Sequence, residues 1–413
     1  MPNYIALAIP FFFLLIGVEL LAARRRGVRL HRFEDCVVDL ACGMTQQVLL
    51  VLFAAGLLAA YAWTHANLRL VTYAPGSPWP WLVAFVLVDL GYYWWHRLSH
   101  EVNVLWAVHV VHHQSEDYNL AVALRQAVAS AVTILPFHLP LALLGVPPVV
   151  FVTIESFSTL YQFWIHTELV GKLGPLERVV NTPSAHRVHH ATNPRYLDRN
   201  YGATLIVWDR LFGTYAEERE RPAYGITKPL ASFDPLFAQV HYWLELWRMA
   251  RATPRWADKV RVWFAHPGWR PPGVPGPARA PRAGKYDPRL GRAAGAYVAA
   301  NLVAAVTGTF ALLLFQGALG PAERAVAVVL VLLTVAGWGA LLERRRWALH
   351  LEAARLALTA AVAIWWLGGR LPPSALVGAA AAAMGLWAWR IRSALVPAAQ
   401  PARAVQPVVP SDG

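Results

Sequence analysis

Residues 109–113 read His-Val-Val-His-His, residues 186–190 read His-Arg-Val-His-His, and residues 96–100 read His-Arg-Leu-Ser-His. The chain thus carries two copies of His-x-x-His-His and one His-x-x-x-His, out of 15 histidines in 413 residues. On an α-helix, positions i and i+4 lie about 40° apart, and i and i+3 about 60° apart on the other side. His96 and His100 are therefore expected on one helical face, as are His109, His112 and His113, and again His186, His189 and His190. Imidazole nitrogens on such faces can close on a metal ion at about 2.0–2.1 Å. Eight rings are too many for one ion. They suit two ions, each with several nitrogen ligands and room for an exogenous one. Burying so many polar rings without a cation would be costly.

Imidazole alone does not choose the metal, since zinc, copper, iron and nickel all accept it. A dinuclear site beside acyl chains makes sense for activating dioxygen against an unreactive C–H bond, which iron does and zinc does not. His166, in "WIHTELVGKLG" at the end of an apolar run, is expected as a ninth ligand, with a capping role as its alternative. Glu101 follows His100 directly and points about 100° away on a helix. It is expected to hold an imidazole N–H in place, as carboxylates beside metal-bound histidines commonly do. Asp89 lies seven residues before His96, on the same face and inside an apolar run; Asp209 is a similar candidate. An intramembrane carboxylate is a functional candidate by default, and a structural pair of Asp89 with Arg97 or a tryptophan indole is its alternative. His31, His65, His138, His241, His266 and His350 stand alone and are expected to be ordinary structural residues.

The elements that must position these rings belong to a membrane protein. The chain is 57% hydrophobic and 15% charged, against roughly a quarter charged in a soluble domain. Apolar runs near the length of a bilayer span, about 20 residues, cover 4–23, 39–62, 79–95, 128–150, 149–165, 292–315, 324–342, 347–367 and 373–391. The fourth and fifth are joined near "GVPP" as a helical hairpin. In the first run the positive charge, Arg24 to Arg26, follows the apolar stretch, which favours an uncleaved anchor over a secretory signal. The fold expected is all-α: a polytopic helical bundle with a cytosolic, histidine-rich di-metal cap and extra C-terminal transmembrane helices.

Its divisions are expected as N-terminal transmembrane helices (1–78), a catalytic core (79–220), a basic Pro-rich segment and linker (221–290, flexible over 268–284), C-terminal transmembrane helices (291–392) and a disordered tail (393–413). Arginines after the first span, across 166–290 and in "ERRR" at 343–346 fall on one side, the side of the histidine motifs. By the positive-inside bias that side is the cytoplasm. High Ala, Arg and Pro content suggests a bacterial inner membrane. The net charge of +13 is expected to meet anionic headgroups and not nucleic acid, because no basic helix with interleaved aromatics stands apart from the membrane-facing loops. Cys36 and Cys42 are the only cysteines. They exclude a disulfide framework and are expected to be plain core residues.

The order His-x-x-x-His, His-x-x-His-His, single His, His-x-x-His-His resembles the fatty acid hydroxylase/sterol desaturase superfamily of integral-membrane di-iron oxygenases. The stretches "DLGYYWWHRLSHE", "HVVHHQSEDYNLAVALRQ", "WIHTELV" and "NTPSAHRVHHATNPRYLDRNYGATLIVWDRLFGTY" look like its alkylglycerol monooxygenase branch, across about 80–215. The resemblance implies that His96, His100, His109, His112, His113, His186, His189 and His190 are the eight motif ligands, and that Glu101 matches the acidic residue the branch keeps there. It implies two iron ions, dioxygen and tetrahydrobiopterin or another electron donor. The implied reaction hydroxylates the ether-bearing carbon of an alkylglycerol, a membrane lipid, to release a fatty aldehyde. A sterol, carotenoid or fatty acyl desaturase or hydroxylase is the alternative enzyme. A membrane metal-binding or transport protein is the non-enzyme alternative, disfavoured because the last four spans carry hardly a polar group. Oligomeric state is not legible.

Overall fold

The computed structural model describes residues 3–274, 284–366 and 373–396. Among these the chain is helical with no strand, only isolated bridges pairing Val180 with Leu205 and Ala191 with Tyr224. Helix α1 (Tyr4–Arg25) opens under Asn3, whose side-chain oxygen accepts from the Ala6 N–H at 3.0 Å. Helix α2 (Phe33–Leu68) has 36 residues, so it is about 54 Å long and overruns a hydrocarbon core of about 30 Å. The span expected over 39–62 is the middle of this longer rod, whose first turns reach the histidines.

Helices α3 (Trp79–Glu101) and α4 (Asn103–His113) meet at a corner because Val102 is extended. Asn103 pins the corner: its side chain donates to the Val262 carbonyl at 2.8 Å and its N–H to the Ala265 carbonyl at 2.9 Å. Helices α5 (Ser130–Leu143) and α6 (Pro148–Trp164) form the expected hairpin. Gly145 makes the turn at φ +77°, where a Cβ would lie 2.0 Å from the Val71 carbonyl oxygen. At 14 and 17 residues the two arms are about 21 and 25 Å long; the first is shorter than the span expected over 128–150, and the second matches in length the span expected over 149–165.

Among the described residues, five helices are long and apolar enough to cross a membrane: Tyr4–Arg25, Phe33–Leu68, Arg292–Ala318, Pro321–Leu342 and Ala348–Trp366. Helix α3, expected as a span, is not among them, since it is rich in Trp and Tyr, whose polar tips favour the membrane interface over its core.

Four helices follow the hairpin: α7 (Pro183–His189), α8 (Val207–Leu211), α9 (Pro235–Ala252) and α10 (Trp256–Phe264). Thr182 caps α7 by accepting from the Ala185 N–H, and Asp234 caps α9 by accepting from Leu236 and Phe237, both at 3.0 Å. Within the segment 221–290, residues 235–252 and 256–264 are thus helical. Of the flexible stretch expected over 268–284, residues 275–283 lie outside the described residues. Beyond them the chain is tied back at once, with Lys285 Nζ 2.6 Å from Asp117 and the Leu290 N–H donating to Glu34 at 2.7 Å.

Helices α11 (Arg292–Phe315), α12 (Pro321–Leu342), α13 (Ala348–Trp366), α14 (Pro373–Arg390) and the short α15 (Arg392–Leu395) complete the bundle. Most of the expected tail, 397–413, lies outside the described residues. The largest apolar cluster joins Val38 and Cys42 of α2, Val111 of α4, Tyr297 of α11 and Trp338 of α12, so the C-terminal helices brace the helix that bears three histidines. Cys42 is plain core, as expected, and Cys36 is half-buried and unpaired. The expectation of hardly a polar group in these helices needs correcting. Buried Arg355 donates to Glu352 at 2.8 Å and to Asn301 at 2.7 Å, and the Tyr297 hydroxyl also donates to Glu352. These few groups pair with one another inside the bundle, and the surrounding alanines, leucines and valines outweigh them in the hydropathy of the segment.

Candidate metal centre

Nine buried imidazoles converge in two groups. One holds His96, His100, His109, His113 and His189, the other His112, His166, His186 and His190, and within each group one ring nitrogen per residue lies within 4.8 Å of the rest. Each His-x-x-His-His trio is shared between the groups. His109 and His113 serve the first while His112 serves the second; His186 and His190 serve the second while His189 serves the first. Helical geometry explains the division, because i+3 and i+4 sit about 100° apart around the axis. The trios were expected on single faces; they fan out instead, and α4 and α7 stitch the two groups together.

Backbone carbonyls fix the tautomers. His96 Nδ1 donates to the Tyr201 carbonyl at 2.8 Å and His189 Nδ1 to that of Arg199 at 3.0 Å. His112 Nδ1 donates to the Arg125 carbonyl at 2.9 Å and His166 Nδ1 to that of Gln162 at 2.7 Å. A neutral imidazole with Nδ1–H presents a bare lone pair at Nε2. Yet His112 Nε2 and His166 Nε2 face each other at 3.2 Å. Two lone pairs cannot bond to each other. A cation between them resolves the contact, and the group fits a metal.

The other spacings agree. His96 and His109, His109 and His113, His113 and His189, and His166 and His186 approach through Nε2 atoms at 2.9, 3.0, 3.1 and 3.0 Å. Ligands at right angles, about 2.1 Å from one ion, would stand about 3.0 Å apart. His100 Nε2 is buried without any hydrogen-bond partner, as a nitrogen kept for an ion would be. Burial holds the His112 imidazole down at about 4 and that of His189 at about 3, and it pushes His109, His113 and His190 well below their usual range. The rings are neutral donors at physiological pH, the state a metal requires.

The loop after α7 supplies two of those carbonyls. Asp198 and Asn200 take left-handed backbone, φ 58° and 59°, a conformation Asp and Asn tolerate best among residues with a side chain. The turns flank Arg199 and set its carbonyl on His189 and that of Tyr201 on His96. Asp209 locks the loop, accepting from the N–H groups of Tyr201 at 2.7 Å and Gly202 at 2.8 Å and from the Thr214 hydroxyl at 2.7 Å. Asp89 accepts from the N–H of Thr204 at 2.8 Å and from the Trp208 indole at 2.8 Å. It pairs with an indole, one of its two alternatives, and fastens the loop to α3. Glu101 takes Arg97 Nε at 2.9 Å and touches no imidazole; main-chain carbonyls do the work expected of it. The six isolated histidines join neither group.

Arg125, unnoticed among the candidates, is buried at the back of α4. It donates to the Val111 carbonyl at 2.7 Å, to Gln114 at 2.8 Å and to Asp39 of α2 at 3.1 Å, while its own carbonyl holds His112. In front of the rings lies a cavity of about 550 Å³ walled mainly by apolar side chains of α1, α2, α5, α6 and α11. His109 of the first group and His112 and His166 of the second reach its wall.

The profile of the family described as "Fatty acid hydroxylase" matches residues 81–214. Alkylglycerol monooxygenase of Xenopus tropicalis is 38% identical over 363 residues, covering 86% of this chain and 81% of that protein. The chain belongs to the fatty acid hydroxylase family. Alkylglycerol monooxygenase of Danio rerio is also 38% identical, over 86% of this chain and 81% of its own length. The human protein of that name is 44% identical over 271 residues, 65% of this chain, and the match spans 61% of the human protein. No solved structure matches the chain. Membrane-length helices and this kinship make it an integral membrane protein.

Proposed function

We propose that the protein is a membrane monooxygenase that hydroxylates the ether-bearing carbon of an alkylglycerol, with one iron ion in each histidine group. The observation that carries the reading is the cavity, since a lipid-sized apolar chamber ends on imidazoles of both groups. Iron, when bound, would supply the activation of dioxygen that an unreactive C–H bond needs.

The chain's own residues supply the rest. Backbone carbonyls orient four of the rings, and burial keeps them unprotonated. The apolar wall aligns the alkyl tail and keeps bulk water from the reacting carbon, which raises the weight of every nearby charge. One oxygen atom enters the C–H bond and the other leaves as water, with two electrons from a reduced donor such as tetrahydrobiopterin and two protons. The hemiacetal then collapses: its hydroxyl proton passes to the ether oxygen, the C–O bond breaks, and a fatty aldehyde and glycerol separate. Asp89 and Asp209 act as positioning residues for the carbonyl loop. A cytoplasmic site is part of this reading, supported by the arginine-rich ends that flank the histidines and the positive-inside bias.

Incubating the iron-loaded protein with a 1-O-alkylglycerol, dioxygen and reduced pterin tests the reading. Fatty aldehyde should appear only with all components. A product that keeps its ether bond while gaining a hydroxyl or double bond elsewhere would replace it with the acyl hydroxylase or desaturase alternative.

A further inference from the structure

The cavity is built only in part by the residues that match the family. Val306, Thr309, Phe310 and Leu313 of α11 also line it, at the spacing of one helical face. Leu313 is buried against Val51 of α2 and Ala6 of α1, with Ile9 packed beside them. The depth of this meeting point follows from α2. Gly43 abuts Leu124, next to the arginine that holds His112; a Cβ there would lie 2.3 Å from the Leu124 carbonyl oxygen. Val51 stands eight residues further on, about 12 Å from the histidine level. The wall continues along α2 to Leu58, some 22 Å from that level. A chamber of this length, deep in a core of about 30 Å, fits an extended alkyl chain lying along α2.

We propose that α11 is part of the substrate site, and that Phe310 and Leu313 form the stretch of wall, at the level of Val51, that an alkyl chain must pass to use the chamber's full depth. The inference rests on the lipid reading above. It gives the C-terminal helices a role in specificity in addition to bracing.

Leu313→Trp should block the passage and shorten the preferred chain, whereas Leu313→Ala and Phe310→Ala, which only remove atoms, should not shorten it and guard against misfolding of the tryptophan variant. The first readout is the rise in unfolding temperature that n-alkanols of increasing length produce in the metal-free protein. The second is kcat/KM of the iron-loaded protein for 1-O-alkylglycerols of the same lengths. Each methylene that loses its place should cost about fourfold. A length profile cut short by Leu313→Trp and not by Leu313→Ala or Phe310→Ala supports the proposal. Profiles identical to wild type in all three folded variants overturn it. Alkanol binding is independent of headgroup and metal, so a wild-type protein that ignores alkylglycerols would refute the ether-lipid reading while the alkanol profiles still decide the role of α11.

Discussion

Asp209→Asn is expected to release one metal ion and spare the other. The carboxylate accepts three buried hydrogen bonds, from Tyr201, Gly202 and Thr214. Asparagine keeps the oxygen facing Tyr201 and Thr214, but turns an NH2 toward the Gly202 N–H. One bond to a charged acceptor is lost, about 1.5–3 kcal/mol, and a buried N–H is left unsatisfied, about 1–3 kcal/mol. The loop has little room to slide, because Gly202 packs so closely on Leu205 that an added Cβ would lie 2.4 Å from the Leu205 carbonyl oxygen. What gives is the Tyr201 carbonyl and with it the orientation of His96, a member of the five-histidine group. Losing the partner that orients a ligand typically costs 10–100-fold in metal affinity, here about 1.4–2.7 kcal/mol. Metal per chain, measured by mass spectrometry after dialysis against graded chelator, should fall from two to one at 10–100-fold weaker chelation than in wild type. A folded variant that keeps both ions as tightly as wild type, or loses both together, would refute the reasoning.

Other perturbations follow from the same contacts. His186→Ala should abolish the ion of the four-histidine group, whereas His138→Phe, outside both groups, should leave metal content at the wild-type value. Arg125→Gln strips the counter-charge from buried Asp39 and leaves Asp35 to Arg32; breaking such a pair costs about 3–5 kcal/mol, visible as a lower unfolding temperature in detergent. Gly43→Ala drives a methyl into the Leu124 carbonyl; overpacking of about 1–3 kcal/mol should push the 122–125 turn away and weaken the metal held by His112.

The convergence of the histidines was legible because their spacing is local. His96 with His100, and His109 with His113, are set on one helical face by four-residue intervals alone. The split of each trio between two groups follows from the same geometry, yet it needs both helices in place to be seen. Partners of the ring N–H groups were not legible, because they are main-chain carbonyls of Tyr201, Arg199, Arg125 and Gln162, and a carbonyl carries no residue code. Glu101 had the right chemistry beside His100 but the wrong direction, and Arg97 one turn back claims it. Hydropathy located the α5–α6 hairpin and missed the shortness of its first arm, since turn residues Gly145 to Pro147 are themselves apolar enough to extend that run. The Glu352–Arg355 pair was hidden in the same way, two charges averaged away among alanines and leucines.

Anomalous diffraction at the iron absorption edge, from crystals of the iron-loaded protein, tests the dinuclear site most directly. Two peaks are expected, one ringed by His96, His100, His109, His113 and His189 and one by His112, His166, His186 and His190. A single peak, or peaks away from these rings, would contradict it.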